Sequence, residues 1–215
     1  MTREAFVRQL GRAAPWAALS DAQIRALWQH YQLLSRWNAR INLTRVIELE
    51  EAVRFHYAES LYVAGLVPPA ATTLADLGSG AGFPGFVIAV ARPELRVALV
   101  ESDQRKAAFL REASDLAPNV RVLAKRSREV EGRFDVVVSR AVRAEEVLEL
   151  AGRSARWVVL VGTEPAGRGM SEWRWETRAL PDGKGLVWVG ERLAGSHGGE
   201  ADGPSRAGEA GSEAG

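Results

Sequence analysis

The chain of 215 residues has no cysteine, so neither a disulfide framework nor thiolate chemistry is open to it. Lysine is scarce, 3 residues against 25 arginines, which makes the basic surface almost wholly guanidinium. Genome composition explains such a bias as readily as function does. No apolar run approaches the length needed to span a membrane, and the first ten residues carry Arg3, Glu4 and Arg8 in place of an apolar core. Neither a membrane span nor a signal peptide is expected, and the expected location is the cytoplasm. Internal repeats, a His/Cys metal cluster and a Ser-His-Asp arrangement are also missing from the pattern. The length suits one domain with an appendage, expected to act as a monomer.

What charge there is lies unevenly. The net value is +1, yet residues 195–215 hold Glu200, Asp202, Glu209 and Glu213 against Arg206 alone, together with seven of the 21 glycines. A segment so poor in apolar side chains cannot offset its ordering entropy, and a disordered tail is predicted there. The body is therefore the basic part. Within it, residues 105–143 carry ten basic side chains against five acids, the best footprint for a polyanion in the sequence.

The stretch that organises the chain is Thr73-Leu74-Ala75-Asp76-Leu77-Gly78-Ser79-Gly80-Ala81-Gly82-Phe83-Pro84-Gly85, a buried-strand signal that breaks into glycine and restarts as an apolar helix at Phe86. A strand, a glycine turn and a helix together place bare backbone N–H groups at the carboxyl edge of a parallel sheet, where nucleotides bind. From Gly80 the segment reads Gly-x-Gly-x-x-Gly, the dinucleotide fingerprint; from Asp76 it reads Asp-x-Gly-x-Gly-x-Gly, the pattern of S-adenosylmethionine (SAM) methyltransferases. The second reading is favoured. A pyrophosphate needs its first glycine directly after the strand and would be repelled by an acid there, whereas SAM carries a sulfonium and an ammonium that an Asp suits through charge.

Around this stretch the pattern predicts two regions before the tail: an N-terminal helical lead-in over residues 1–70, packed on the core, and a methyltransferase-like domain over 71–194. In the lead-in, helices are predicted over 2–11, from the Ser20-Asp21 cap onward with Ile24, Leu27, Trp28, Tyr31, Leu34 and Trp37 on one stripe, and over 48–61, bringing His56 and Glu59 towards the fold. A lone histidine such as His56 either hydrogen-bonds structurally or lines the pocket. From residue 72 strands and helices alternate, which predicts an α/β, doubly wound, mostly parallel sheet. Strands are expected at 72–76, 96–101, 120–124, 134–138 and 156–161, with an antiparallel hairpin over 173–180 and 185–191 closing a seven-stranded sheet. Glu101 follows the glycine turn by about twenty residues at the tip of the neighbouring strand, a placement that favours accepting both hydroxyls of a ribose. The exit of the third strand, Ala124 to Arg128, falls where the adenine edge would lie.

Several of these segments resemble the glucose-inhibited-division B family, the guanine-N7 methyltransferases of small-subunit (16S) ribosomal RNA. The carriers are Trp37-Asn38 with Asn42-Leu43-Thr44, Phe55-His56 to Glu59-Ser60-Leu61, the stretch Asp76 to Gly85, Arg92-Pro93-Glu94, Leu99-Val100-Glu101, Phe109-Leu110 and Val138-Ser139-Arg140-Ala141. Phe83-Pro84-Gly85 and Ser139-Arg140-Ala141 are the specific ones. The resemblance implies a SAM pocket at Asp76, Gly78, Gly80, Gly82, Phe83, Glu101, Ser127, Arg128 and Arg140, and turns Arg126, Arg140 and Arg143 towards RNA. It implies no metal and a 16S rRNA or small-subunit substrate. The chain departs from the family pattern at Glu59, usually Asp; at Gly162-Thr163-Glu164, usually a Lys-Gly; and before Leu186-Val187, where an Arg-His pair is usual. Guanine N7 is already a lone pair, so no general base is expected, and Arg140 would position a phosphate or carboxylate. The competing readings are a SAM enzyme acting on a small molecule and a SAM-binding relative that has lost activity.

Overall fold

The computed structural model describes residues 2–162, 164–165 and 170–194; the predicted disordered tail, Thr163 and Arg168 lie outside them. Helix α1 (Arg3–Ala13) opens on Thr2, whose hydroxyl accepts from the Ala5 N–H. Helix α2 (Asp21–Asn38) opens on a reciprocal cap in which Ser20 and Gln23 each satisfy the other's backbone donor. The predicted third helix is longer and less regular than its periodicity suggests. It runs as α3 (Leu49–Ala52), a π-helical stretch (Val53–Ala58) and α4 (Glu59–Leu66), because nothing breaks it until Val67 is pushed extended by Pro68. Wide turns of this kind recur at functional sites, and this one carries His56.

The sheet has seven strands in the order β3-β2-β1-β4-β5-β7-β6. β1 (Thr73–Leu77), β2 (Arg96–Val100), β3 (Val120–Leu123), β4 (Val136–Ser139) and β5 (Trp157–Val161) are parallel, while β6 (Trp173–Ala179) and β7 (Leu186–Arg192) form the antiparallel hairpin, β7 against β5. Strand order reverses between β1 and β4, which opens a crevice at their carboxyl ends. The crossing helices are α5 (Gly85–Ala91), α6 (Gln104–Ser114) and α7 (Ala144–Ser154).

Alternation along the strands sorts the core. Leu74, Leu99, Val136, Val138 and Val159 join the N-terminal helices, α5 and α6 in one cluster; Ala75, Leu77, Val100, Val137 and Leu160 join α7 in another. The helical lead-in thus shares a core with the sheet, and Phe6 of α1 packs on Trp28, Tyr31 and Tyr57. Asp76 falls on the crowded face. Its neighbours on that face, not its position at a strand tip, decide what it does.

Candidate cofactor site and nucleic-acid face

β1 ends at Leu77, paired with Val100 on one side and Ser139 on the other, and the chain then folds back over β2. Gly78 and Ser79 donate to the Val100 carbonyl at 2.9 and 3.1 Å. Gly82 sits at φ +87°, and a Cβ there would lie 2.9 Å from Phe86 Cβ and 3.2 Å from His30 Nε2. Gly85 meets a different limit: an added Cβ would stand 2.5 Å from both Cβ and Oδ2 of Asp76. The Phe83–Pro84 peptide is cis.

Asp76 is 0% exposed, which corrects the expectation that it faces the cations of a cofactor. Its Oδ2 accepts from the Gly85 N–H at 3.0 Å, fixing the first turn of α5, while Oδ1 has no hydrogen bond among the described residues. Burial pushes its pKa up to about 7.

Glu101 sits between Val100 and Ser102, which line a cleft that its own side chain does not line. It lies just past β2 and is 7% exposed; Oε2 accepts from Gly80 N at 2.9 Å and Oε1 from Asp103 N at 2.8 Å. Each oxygen keeps a lone pair. This cleft of about 600 Å³ opens beside it, lined by Gly78, Val100, Ser102, Ser127, Arg128 and Val142 among others, a volume that suits a nucleoside-sized ligand. Ser127 opens a 3₁₀ turn (Ser127–Glu129), and its hydroxyl donates to Glu146 of α7.

Ser139-Arg140-Ala141 acquires a structural reason. The Ser139 hydroxyl donates to the Leu77 carbonyl at 2.9 Å and accepts from Val142 N, which clamps β4 to β1 where strand order reverses. Arg140 is only partly exposed, at 28% of its side chain, and pairs with Glu59 at 3.0 Å. Its Nη1 also donates to His56 Nδ1 at 3.4 Å. His56 Nε2 then donates to the Thr44 hydroxyl at 3.0 Å, and Thr44 N donates to Asn38 Oδ1. Burial and the Arg140 charge hold the His56 pKa down near 4, so its ring, stacked 4.5 Å from that of Phe83, is neutral. The motif residues Asn38, Thr44, His56, Glu59, Phe83 and Arg140 are one connected network.

One member of the site was not found from the sequence. His30 of α2 is fully buried, stacks on Phe86 at 4.3 Å, bonds Tyr57 through Nδ1 at 2.8 Å and stands against Gly82. Burial lowers its pKa to about 3. The spacing from Leu27 and to Leu34 put it on the apolar stripe, but a histidine was not read as part of a core.

The basic stretch 105–143 does not form one face. Arg126, Arg128, Arg143 and Lys125 line the cleft, but Glu145, Glu146 and Glu149 line it with them. Arg121 stacks towards Phe134, Arg105 pairs with Asp103, Arg140 is held by Glu59, and Arg133 lies at the opposite edge of the sheet. In a fold of strands and crossovers, residues close in sequence alternate between the sheet's two edges. A charge count along the chain therefore says little about a surface.

A sheet of this order, with a glycine loop after β1 and an acid after β2, defines a SAM-dependent methyltransferase. The crystal structure of the ribosomal protein L11 methylase from Lactobacillus delbrueckii subsp. bulgaricus shares the fold at a TM-score of 0.52 and 14% identity, over 65% of this chain and 79% of that one. The chain belongs to the GidB family, described as rRNA small subunit methyltransferase G, which its residues 23–160 match. It is 39% identical over 161 residues to the ribosomal RNA small subunit methyltransferase G of Dichelobacter nodosus, covering 71% of this chain and 76% of that protein. It is also 37% identical over 167 residues to ribosomal RNA small subunit methyltransferase G 1 of Syntrophobacter fumaroxidans, covering 69% and 75%. Among the described residues no helix is long and apolar enough to cross a membrane.

Proposed function

We propose that the chain methylates N7 of a guanine in 16S rRNA of the small ribosomal subunit, with SAM bound in the cleft beside Glu101. The observation that carries this reading is the Glu101 carboxylate: rigid, nearly buried, bonded once per oxygen by the backbone and still able to accept two ribose hydroxyls. Gly78 supports it, since a Cβ at that position would meet Val142 Cγ2 at 2.6 Å in the cleft wall. Gly78, Gly80, Phe83, Ser127, Arg128 and Arg140 would hold the cofactor, and Asp76 and Gly82 would shape the loop beneath it.

SAM supplies an activated methyl group on a sulfonium. The protein's part is positioning, because guanine N7 already presents its lone pair; holding two reactants in near-attack geometry contributes up to roughly 7–11 kcal/mol in favourable cases. The neutral His56 ring stacks on Phe83 at the end of the glycine loop and holds that end in place. Arg140, its charge answered by Glu59, positions and does not move protons. Arg126 and Arg143, at the rim, face the RNA. The test is transfer of tritiated methyl from SAM to small subunits and to naked rRNA, with the modified base identified by mass. Labelled 7-methylguanine is expected; label on another base, or on neither RNA, overturns the proposal.

A further inference from the structure

A second cleft, of about 670 Å³, lies at the other end of the same strands and differs in charge from the first. The cofactor-edge cleft sets four cations against three carboxylates. The amino-edge cleft sets Arg133, Arg153, Arg156, Arg174 and Arg192 against Asp135 and Glu191, with Arg192 also paired to Glu172 at 3.5 Å. Asp135 is turned inward: its Oδ2 accepts from the N–H and hydroxyl groups of both Thr72 and Thr73 at 2.7–3.1 Å. Glu191 is shared between Arg156, at 3.1 Å, and Arg174.

Part of this charge has a structural purpose. Arg153 stands in the last turn of α7, where a cation answers the negative end of the helix dipole, and it donates to the Arg128 carbonyl at 3.2 Å. That account does not extend to Arg133, Arg156 and Arg174, which lie on strands or their approaches. Arg133 is exposed and has no carboxylate partner among the described residues. Sharing one carboxylate leaves Arg156 and Arg174 with a surplus positive charge and their forks held in place, the arrangement that suits phosphate oxygens.

We propose that this amino-edge cleft binds backbone phosphates of the same ribosomal RNA, a second contact about 17 Å from the methyl-transfer edge across the five residues of β1. The inference rests on the rRNA reading for its occupant. It makes the RNA partner a folded body that reaches both edges, with target choice at one and anchoring at the other.

The experiment measures binding of the full chain to small subunits over a range of salt, with S-adenosylhomocysteine present so that no turnover is needed. Arg133→Ala combined with Arg174→Ala should make the slope of log affinity against log salt shallower by about 1.5, at 0.7 to 0.9 per lost contact. Arg133→Glu should weaken binding further at low salt. SAM affinity and the melting temperature should match wild type. Superimposed slopes overturn the proposal. So does a cleft that binds inorganic pyrophosphate and loses it in the double variant while RNA slopes stay unchanged, which would mark a small-anion pocket. If wild type transfers no methyl to RNA but the slope still falls, the reaction assignment fails and the phosphate contact stands.

Discussion

At the carboxyl ends of β1 and β2 the chain places glycines, buried acids and a neutral histidine; at the opposite edge, before β4 and β5 and along the β6–β7 hairpin, it places arginines. The first edge works by shape. Its contacts are short and have little room, and most of its polar atoms are bonded to backbone. The second works by charge held at an open surface, where salt screens it. Substitutions in the glycine loop and its buried acids should therefore act on cofactor binding and folding regardless of salt. Those at the second should act on RNA affinity and fade as salt rises.

The largest effect that would sharpen this contrast is Gly85→Ala. A methyl 2.5 Å from the Asp76 carboxyl cannot be housed by a rotamer change, because Asp76 is itself walled in and Leu99 Cδ2 stands 2.6 Å away on the same side. Destabilisation of about 3 kcal/mol or more is expected by denaturant unfolding. A well-folded variant with normal SAM affinity would show the loop to be softer than its contacts imply.

Next is Glu101→Ala, which removes the acceptor of Gly80 N and Asp103 N as well as any ribose contact. SAM binding measured by titration calorimetry should weaken by roughly 1.5–3 kcal/mol. Glu101→Gln keeps an acceptor oxygen and should recover part of this. Equal affinity in wild type and both variants would remove Glu101 from the site.

The buried titratable groups predict a pH dependence at the first edge. The folded-state pKa of His30 is near 3 and that of His56 near 4, both below the usual 6.5, so between those limits the unfolded chain binds more protons. Their stabilisation is present above pH 6.5 and is lost as pH falls towards 4. Asp76 acts in the opposite sense, since a pKa raised to about 7 makes stability fall as pH climbs from about 4 to 7. His30→Gln should flatten the rise of unfolding free energy between pH 4.5 and 6 by up to about 1.4 kcal/mol per pH unit, and Asp76→Asn should steepen it. Parallel pH profiles for wild type and both variants would refute the burial argument.

The sequence was most legible where one physical requirement acts alone. Runs such as Val136–Ser139 and Trp157–Val161 are buried on both faces, so their apolar continuity marked parallel strands and only the ends moved by a residue or two. Glu101 was legible because a strand tip and its distance from the glycines fix its place. Asp76 was read at the right position with the wrong contact, since only the packing of α5 shows that its partner is the Gly85 N–H. His30 escaped because a buried histidine looks like a break in an apolar stripe until Tyr57 and Phe86 close around it. The charge count over 105–143 does not map to one surface for a topological reason: Arg126 and Arg133 are seven residues apart and open onto opposite edges.

The smallest expected effect probes whether charge matters at the first edge as well. β5 leads into Gly162, which sits at φ +72° and donates to the Leu186 carbonyl at 2.8 Å, so the chain leaves the sheet at its carboxyl end and presents Glu164 as an exposed side chain. An anion there repels RNA phosphate where a cation would attract it. Both interactions cross a wet surface, where each is weak and falls off within a Debye length. Glu164→Lys should therefore raise affinity for small subunits by about fivefold at low ionic strength, speed methyl transfer when subunits are below saturation, and do nothing at high salt. SAM affinity should not change. Comparing methyl transfer by wild type and Glu164→Lys at two salt concentrations decides it: equal rates at the lower salt would mean that this side chain points away from RNA.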